Sequence, residues 1–257
     1  MLINIIGSGN VATHLTIPFA KAGHQIPCVL SRDIAHAKRL AALVNATPTT
    51  SFANLPNADV TLVAVSDNSI PAVAKALAKT NVDSIIAHTS GATPIEALLP
   101  NARRAVFYPC QTFSTSDNVD VRQVPFLIEA SDPDTLSAMS SLASSINAKA
   151  LSANGHQRAL LHVAAVFACN FPNHLLLAAQ RLMTKANLPF ETLRPLVEKT
   201  VEKAFRLGPL DAQTGPARRG DTATINRHEK LIDNNTEKDI YCALSNSILK
   251  TYHDSQS

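Results

Sequence analysis

The chain has 257 residues, of which 46% are hydrophobic and 17% charged, and a formal net charge of +3. That length supports one large domain or two modest ones, and the apolar share is ample for a buried core. Its lysines and arginines are scattered, with Arg103-Arg104 and Arg218-Arg219 as isolated pairs, so no basic stripe for DNA or RNA is present.

Residues 1–12 read MLINIIGSGNVA: an apolar run, then Gly7, Ser8, Gly9, Asn10, Val11 and Ala12. This predicts a first strand, a glycine turn and a helix start, which together aim backbone N–H groups and a positive helix end at a pyrophosphate. The second strand is expected at residues 25–30 and ends in Ser31-Arg32, a hydroxyl and a cation suited to the 2′-phosphate of NADP. Asp33 is expected to cap the helix that begins near Ala35. The competing reading makes Arg32 a solvated charge and Asp33 the ribose ligand of NAD.

Further strands are expected at 59–65, 82–88, 105–108 and 125–128. Between them come a helix at 69–79, a capping box at Thr93-Pro94-Ile95-Glu96 that opens a short helix, and a helix from Asp132-Pro133 to about Ile146. Such alternation is that of a doubly wound parallel sheet. Ligands of such sheets lie outside the carboxyl ends of the strands, which points to Val65-Ser66, to His88-Thr89-Ser90-Gly91 and to residues 108–112 as the wall at the nicotinamide end. His88 is a candidate proton donor, and Ser90 with the Gly91 N–H is a candidate for binding a substrate oxygen. The alternative for His88 is an imidazole held by backbone at a strand end.

From about residue 151 the strand signals vanish, and a serine- and alanine-rich stretch at 137–153 marks the expected junction. Domains are therefore predicted at 1–150 and 151–257. The stretch 158–186 is apolar nearly all round, which predicts a central buried helix, with a kink or bulge near Ala168 because Pro172 removes one rung. On it His162, Val166, Asn170 and His174 recur every fourth residue, so polar groups share one face. They line either a site or a polar helix interface. Helices follow at about 190–206, 222–232 and 236–252, and the segment 214–221, TGPARRGD, breaks the pattern with a loop suited to an anion or to a plain interhelical turn.

Cys28, Cys110, Cys169 and Cys242 show no C-x-x-C spacing and no H-E-x-x-H occurs, so neither a redox pair nor a metal site is predicted. The first strand begins without a basic leader, and no stretch offers about 18 uninterrupted apolar residues. A soluble cytoplasmic protein, with no membrane partner, is expected.

The segments GSGNVA at 7–12, AVSD at 64–67, HTSG at 88–91, YPCQTFS at 108–114, HVAAVFACNF at 162–171 and TGPARRGD at 214–221 together resemble the Rossmann-like proteins whose C-terminal half is the domain of unknown function 2520. More distantly the layout is similar to pyrroline-5-carboxylate reductases, deazaflavin-dependent NADP reductases and β-hydroxyacid dehydrogenases. The resemblance implies a Rossmann domain followed by an all-α domain like the C-terminal one of 6-phosphogluconate dehydrogenase, which completes the active site and makes a homodimer. It also implies an NADP site at Gly7, Gly9, Asn10, Val11, Ser31 and Arg32, and a cleft lined by His88, Ser90, His162, Asn170 and Arg219. Val166 stands where β-hydroxyacid dehydrogenases carry a lysine, which speaks against that alcohol chemistry. The expected activity is hydride transfer from NADPH to a small polar carbonyl or imine; a non-catalytic, dimeric NADP-sensing module is the alternative.

Overall fold

Residues 1–80, 83–114 and 119–253 are described by a computed structural model. The chain divides into two compact units, Met1–Ala165 and Val166–Ser257.

The first unit is built on an eight-stranded sheet of order β3-β2-β1-β4-β5-β6-β7-β8. Its strands are β1 (Ile3–Ile6), β2 (Cys28–Leu30), β3 (Thr47–Thr49), β4 (Val60–Val63), β5 (Ile85–His88), β6 (Arg104–Pro109), β7 (Pro125–Ala130) and β8 (Lys149–Ser152). All neighbours run parallel except β6 and β7. Every residue of β1, β4 and β5 is buried, as continuous apolar runs covered on both faces require. Helices α1 (Asn10–Lys21), α2 (Ile34–Ala42), α3 (Ile70–Leu77) and α4 (Pro133–Ser145) supply the covering layers. One core holds Phe19, Phe107 and Phe126, with ring centroids 6.1 and 4.7 Å apart in succession. A second, on the other face, gathers Ile6, Leu30, Val63, Ile70 and Leu98.

The ends of the helices follow local chemistry. Asp33 Oδ1 accepts the Ala35 N–H at 2.8 Å, and Asp132 Oδ1 accepts that of Thr135 at 2.8 Å, as the sequence predicts. Two strands go beyond the expectation: β3, only Thr-Pro-Thr, and the exposed edge strand β8. The strand expected from Val82 begins at Ile85; Val82 itself lies outside the described residues. At 93–96 the capping box does not form. Thr93 instead accepts a hydrogen bond from the Ser90 hydroxyl at 2.9 Å, and Pro94 leads into a single 3₁₀ turn, Ile95–Leu98.

Helix α5 (Gly155–Ala165) passes through a π-helical turn, Val166–Asn170, into α6 (Phe171–Lys185). The π turn is the bulge that Pro172 demands, and its extra residue means that a four-residue spacing no longer defines a single polar row across it. The sequence predicts burial for this run, yet in the single chain Leu160, Val163, Phe167 and Phe171 are 58, 53, 66 and 49% exposed. Among the described residues it is the one helix long and apolar enough to cross a membrane, with a mean hydropathy of 1.4 over its best window. His162, Asn170, Asn173 and His174 interrupt its apolar sequence.

The second unit continues with α7 (Arg194–Leu207), α8 (Pro209–Ala212), α9 (Pro216–Arg219), α10 (Thr222–Leu231) and α11 (Asn235–His253). The segment expected as a loop at 214–221 thus contains one short helix, flanked by Gly215 and Gly220 with φ of +106° and +71°. Asp221 caps α10 through the Thr224 N–H at 3.0 Å. Ion pairs Arg181–Glu237 and Lys185–Asp233, each 2.6 Å, tie α6 to the helices that follow.

Candidate active site

The glycine turn after β1 is fixed by backbone. Gly7 has φ +114°, and a Cβ there would fall 2.1 Å from the Ala64 carbonyl oxygen, so β1 and β4 lie too close for any side chain. Gly9 is the N-cap of α1, and a Cβ built on it meets no atom within 4 Å. No side chain caps this helix and no acid stands in its first turn, so its positive end is uncompensated and open. That arrangement fits a bound pyrophosphate. Asn10 Nδ2 donates to the Phe113 carbonyl at 3.0 Å, which commits that side chain to holding the segment after β6. Val11 packs on the core beneath.

At the end of β2, the Ser8 hydroxyl donates to Ser31 Oγ at 2.9 Å, and Arg32 is exposed beside them. Asp33 next to it serves α2, and the Ala35 N–H it accepts holds its carboxyl below the ordinary range. Two hydroxyls and a guanidinium therefore stand where the ribose end of a dinucleotide would lie, and the acid next in sequence is engaged. After β4, Val65 packs against the second core and the Ser66 and Ser69 hydroxyls pair at 2.8 Å, which leaves backbone as the feature these positions offer.

Beyond β5 the roles differ from those expected. His88 is 0% exposed, and its Nδ1 accepts the Ser90 N–H at 3.2 Å. Burial, with the Arg158 guanidinium as the second cause, pushes its pKa down to about 4, while the Pro94 backbone and Asp67 pull the other way. With Nδ1 accepting, the neutral ring carries its proton on Nε2, which is buried and meets no hydrogen-bond partner among the described residues, so the imidazole shapes the turn and is sealed from a substrate. Ser90 is equally committed: its Oγ accepts the Ala92 and Thr93 N–H groups at 3.2 and 3.0 Å and donates to Thr93 Oγ1 at 2.9 Å.

His162 is different. It is half-buried on α5, and its Nδ1 lies 3.5 Å from the Tyr108 hydroxyl, with the two rings edge to face at 6.3 Å between centroids. Helix α5 is anchored near its start by Arg158, only 1% exposed. Arg158 pairs with Glu129 of β7 and donates from Nη2 to the Thr93 carbonyl at 2.8 Å, while Glu129 Oε1 accepts the Gly155 N–H at 3.2 Å. Sequence reasoning misses this buried pair, because 29 residues separate its members. It also misses Tyr108 as a partner of His162, 54 residues apart.

Asn170 and Arg219 belong to the second unit. Asn170 is exposed at the junction of the π turn with α6. Arg219 is exposed at the end of α9, whereas Arg218 lies over the Tyr252 ring, 4.1 Å from its centroid, and so serves packing. Within this unit an apolar cavity of about 370 Å³ is lined by residues including Leu175, Leu182, Pro216, Ile240 and Leu244. Among the described residues no group of three or more His, Cys, Asp or Glu side chains is placed to hold a metal ion.

Residues 1–109 match a Rossmann-like domain, and residues 124–248 match a domain of unknown function (DUF2520). The putative NADP oxidoreductase BF3122 of Bacteroides fragilis is 36% identical, with a TM-score of 0.90 over 97% of this chain and 98% of that one. This chain belongs to the same Rossmann-like and DUF2520 family. Protein TM1727 of Thermotoga maritima is 25% identical, with a TM-score of 0.72 over 97% of this chain and 98% of its own. A reductive aminase of Aspergillus terreus, solved with NADPH and ethyl levulinate, shares the fold at 17% identity, with a TM-score of 0.71 over 98% of this chain and 93% of its own. No curated protein matches. Family membership fits the element order observed, a Rossmann-like sheet followed by helices alone.

Proposed function

We propose that this protein is an NADP(H)-dependent oxidoreductase that reduces a small polar carbonyl or imine. The observation that carries the reading is the open, uncapped start of α1 behind Gly7 and Gly9, combined with Ser8, Ser31 and Arg32 at the end of β2. In this reading residues 1–150 hold the cofactor. Gly9, Asn10 and Val11 present backbone N–H groups to the pyrophosphate, while Gly7, whose own N–H donates to the Leu30 carbonyl at 2.8 Å, makes the tight turn; Ser8, Ser31 and Arg32 take the 2′-phosphate, and Val65 and Ser66 lie along the nicotinamide side. Bound NADPH would supply the hydride.

Residues 151–257 form the substrate and dimerisation region. His162 stands on the path that brings a proton to the substrate, His88 and Ser90 hold the shape of the turn beside it, Asn170 orients the substrate, and Arg219 binds its anionic group. The exposed apolar side chains of α5 and α6 supply a homodimer contact, since Leu160, Val163, Phe167 and Phe171 are too large and numerous to face water. That contact also accounts for the span-like hydropathy of the helix in a soluble, cytoplasmic protein. The reductive aminase, crystallised with NADPH and a keto ester, and the NADP oxidoreductase BF3122 support the hydride chemistry by analogy of fold and family.

Titration of the purified protein with NADPH and NADH, followed by nicotinamide fluorescence, tests the cofactor. We expect Arg32→Ala to weaken NADPH by about tenfold to a hundredfold, the worth of one charge-assisted hydrogen bond, and to leave NADH unchanged. Equal losses for both nucleotides would remove the 2′-phosphate assignment.

A further inference from the structure

We propose that the Tyr108 hydroxyl is the group that protonates the substrate, with His162 behind it as the source of the replacement proton. The proposal rests on the oxidoreductase reading and names a residue for it. Tyr108 is the last residue but one of β6, paired with Leu127 of β7, so its backbone is held by the sheet at the end where the site lies. Its ring lies against Gly91 of the neighbouring turn, where a Cβ would come within 2.7 Å of Cζ. A glycine at 91 is thus what gives the ring its seat, and the seat aims the hydroxyl at His162 Nδ1, 3.5 Å away. Both side chains are half-buried, so one face of the pair is held by protein and the other is reachable.

The neighbouring polar side chains of the turn are sealed or engaged: His88 is fully buried, with Nδ1 accepting the Ser90 N–H, and Ser90 makes three hydrogen bonds within the turn. Tyr108 and His162 are a hydroxyl and an imidazole of this wall that face each other. Hydride supplied to the carbon of a C=O or C=N group by bound NADPH would leave the heteroatom in need of one proton. The Tyr108 O–H bond breaks as the new O–H or N–H bond forms. The phenolate then takes the Nδ1 proton of His162 as the ring gains one from water at Nε2. A contact of 3.5 Å suits a relay that tightens when substrate arrives.

The test begins with wild-type protein loaded with NADPH and a panel of keto acids, aldehydes and cyclic imines. With any member that is reduced, Tyr108→Phe should lower kcat by about a hundredfold, the usual worth of a general acid, while KM and NADPH affinity stay within about threefold. Difluorotyrosine at position 108 keeps shape and hydroxyl but makes the phenol more acidic, so it should move the alkaline limb of the kcat profile to lower pH. His162→Gln, which removes the relay, should lower kcat while KM stays within about threefold. Wild-type turnover that Tyr108→Phe leaves within threefold, or a limb that difluorotyrosine does not move, overturns the role of Tyr108 and leaves the oxidoreductase standing. Firm NADPH binding with no reduction of any panel member overturns the oxidoreductase reading, and Tyr108 as its acid falls with it.

Discussion

Lowering the pH should destabilise this protein through His88 in particular. The imidazole is fully buried, and burial and Arg158 hold its pKa at about 4 against 6.5 for a free histidine. As pH falls below 6.5 the unfolded chain takes up a proton that the folded chain refuses until near pH 4, so this group opposes folding across that window. From the linkage relation, the cost between pH 7 and pH 4.5 is about 2 kcal/mol, and it is complete well below pH 4 at about 3 kcal/mol. His88→Asn isolates the effect, because its Oδ1 stands near the place of Nδ1, still accepts the Ser90 N–H, and does not titrate. Urea unfolding followed by circular dichroism at both pH values gives each protein's own loss, which removes the mutation's baseline cost. Wild type should lose about 2 kcal/mol more than His88→Asn over this interval. Equal losses, or an imidazole C2–H resonance of His88 that titrates near 6.5 in NMR spectra, would refute the account of a sealed neutral ring.

Two glycines of the turn should separate folding from binding. Gly9→Ala places a Cβ in the open space before α1 at an ordinary φ of −81°, so thermal stability should hold while NADPH affinity falls at least about tenfold by steric exclusion from the helix end. Gly7→Ala forces a Cβ onto the Ala64 carbonyl at positive φ and should cost about 3 kcal/mol or more of stability, read from melting curves alongside nucleotide titration. Glu129→Gln leaves the Arg158 guanidinium buried without its counter-charge and should cost about 3–5 kcal/mol in urea unfolding, whereas the paired change Glu129→Leu with Arg158→Met should cost much less. A loss of under about 1 kcal/mol for Glu129→Gln would mean that the pair does not anchor α5.

Much of the sheet is legible in the sequence because its strands are buried on both faces. Residues 3–6, 60–63 and 85–88 lie in largely apolar runs, and such runs need no alternation to be recognised. Edge strands lack that signal. β3 is Thr-Pro-Thr with one buried residue, and β8 is exposed along most of its length; both exist because a neighbour supplies backbone partners, which single-sequence periodicity does not record. Helix α5–α6 shows the converse. Its all-round apolar sequence predicts a surface that avoids water, but hydrophobicity is non-directional and does not say whether the cover comes from the same chain.

The site is legible where backbone geometry sets the function and obscure where side chains compete. Gly7 is imposed by a close strand approach and Gly9 stands at an open helix end, so at both places the absence of a Cβ is the feature on which the proposed cofactor site rests. His88, Ser90 and Thr93 are polar residues within one turn, and each has two outlets: the turn's own backbone and whatever enters from outside. The backbone is covalently close, so its effective concentration is high, and it takes the Ser90 hydroxyl and His88 Nδ1 first. The Tyr108 hydroxyl also reaches outside its own turn and meets His162, 54 residues away. A long side chain at a strand end is thus better placed to act on a ligand than the short hydroxyls and imidazole beside it, although the short ones look more like a catalytic motif when written in a line.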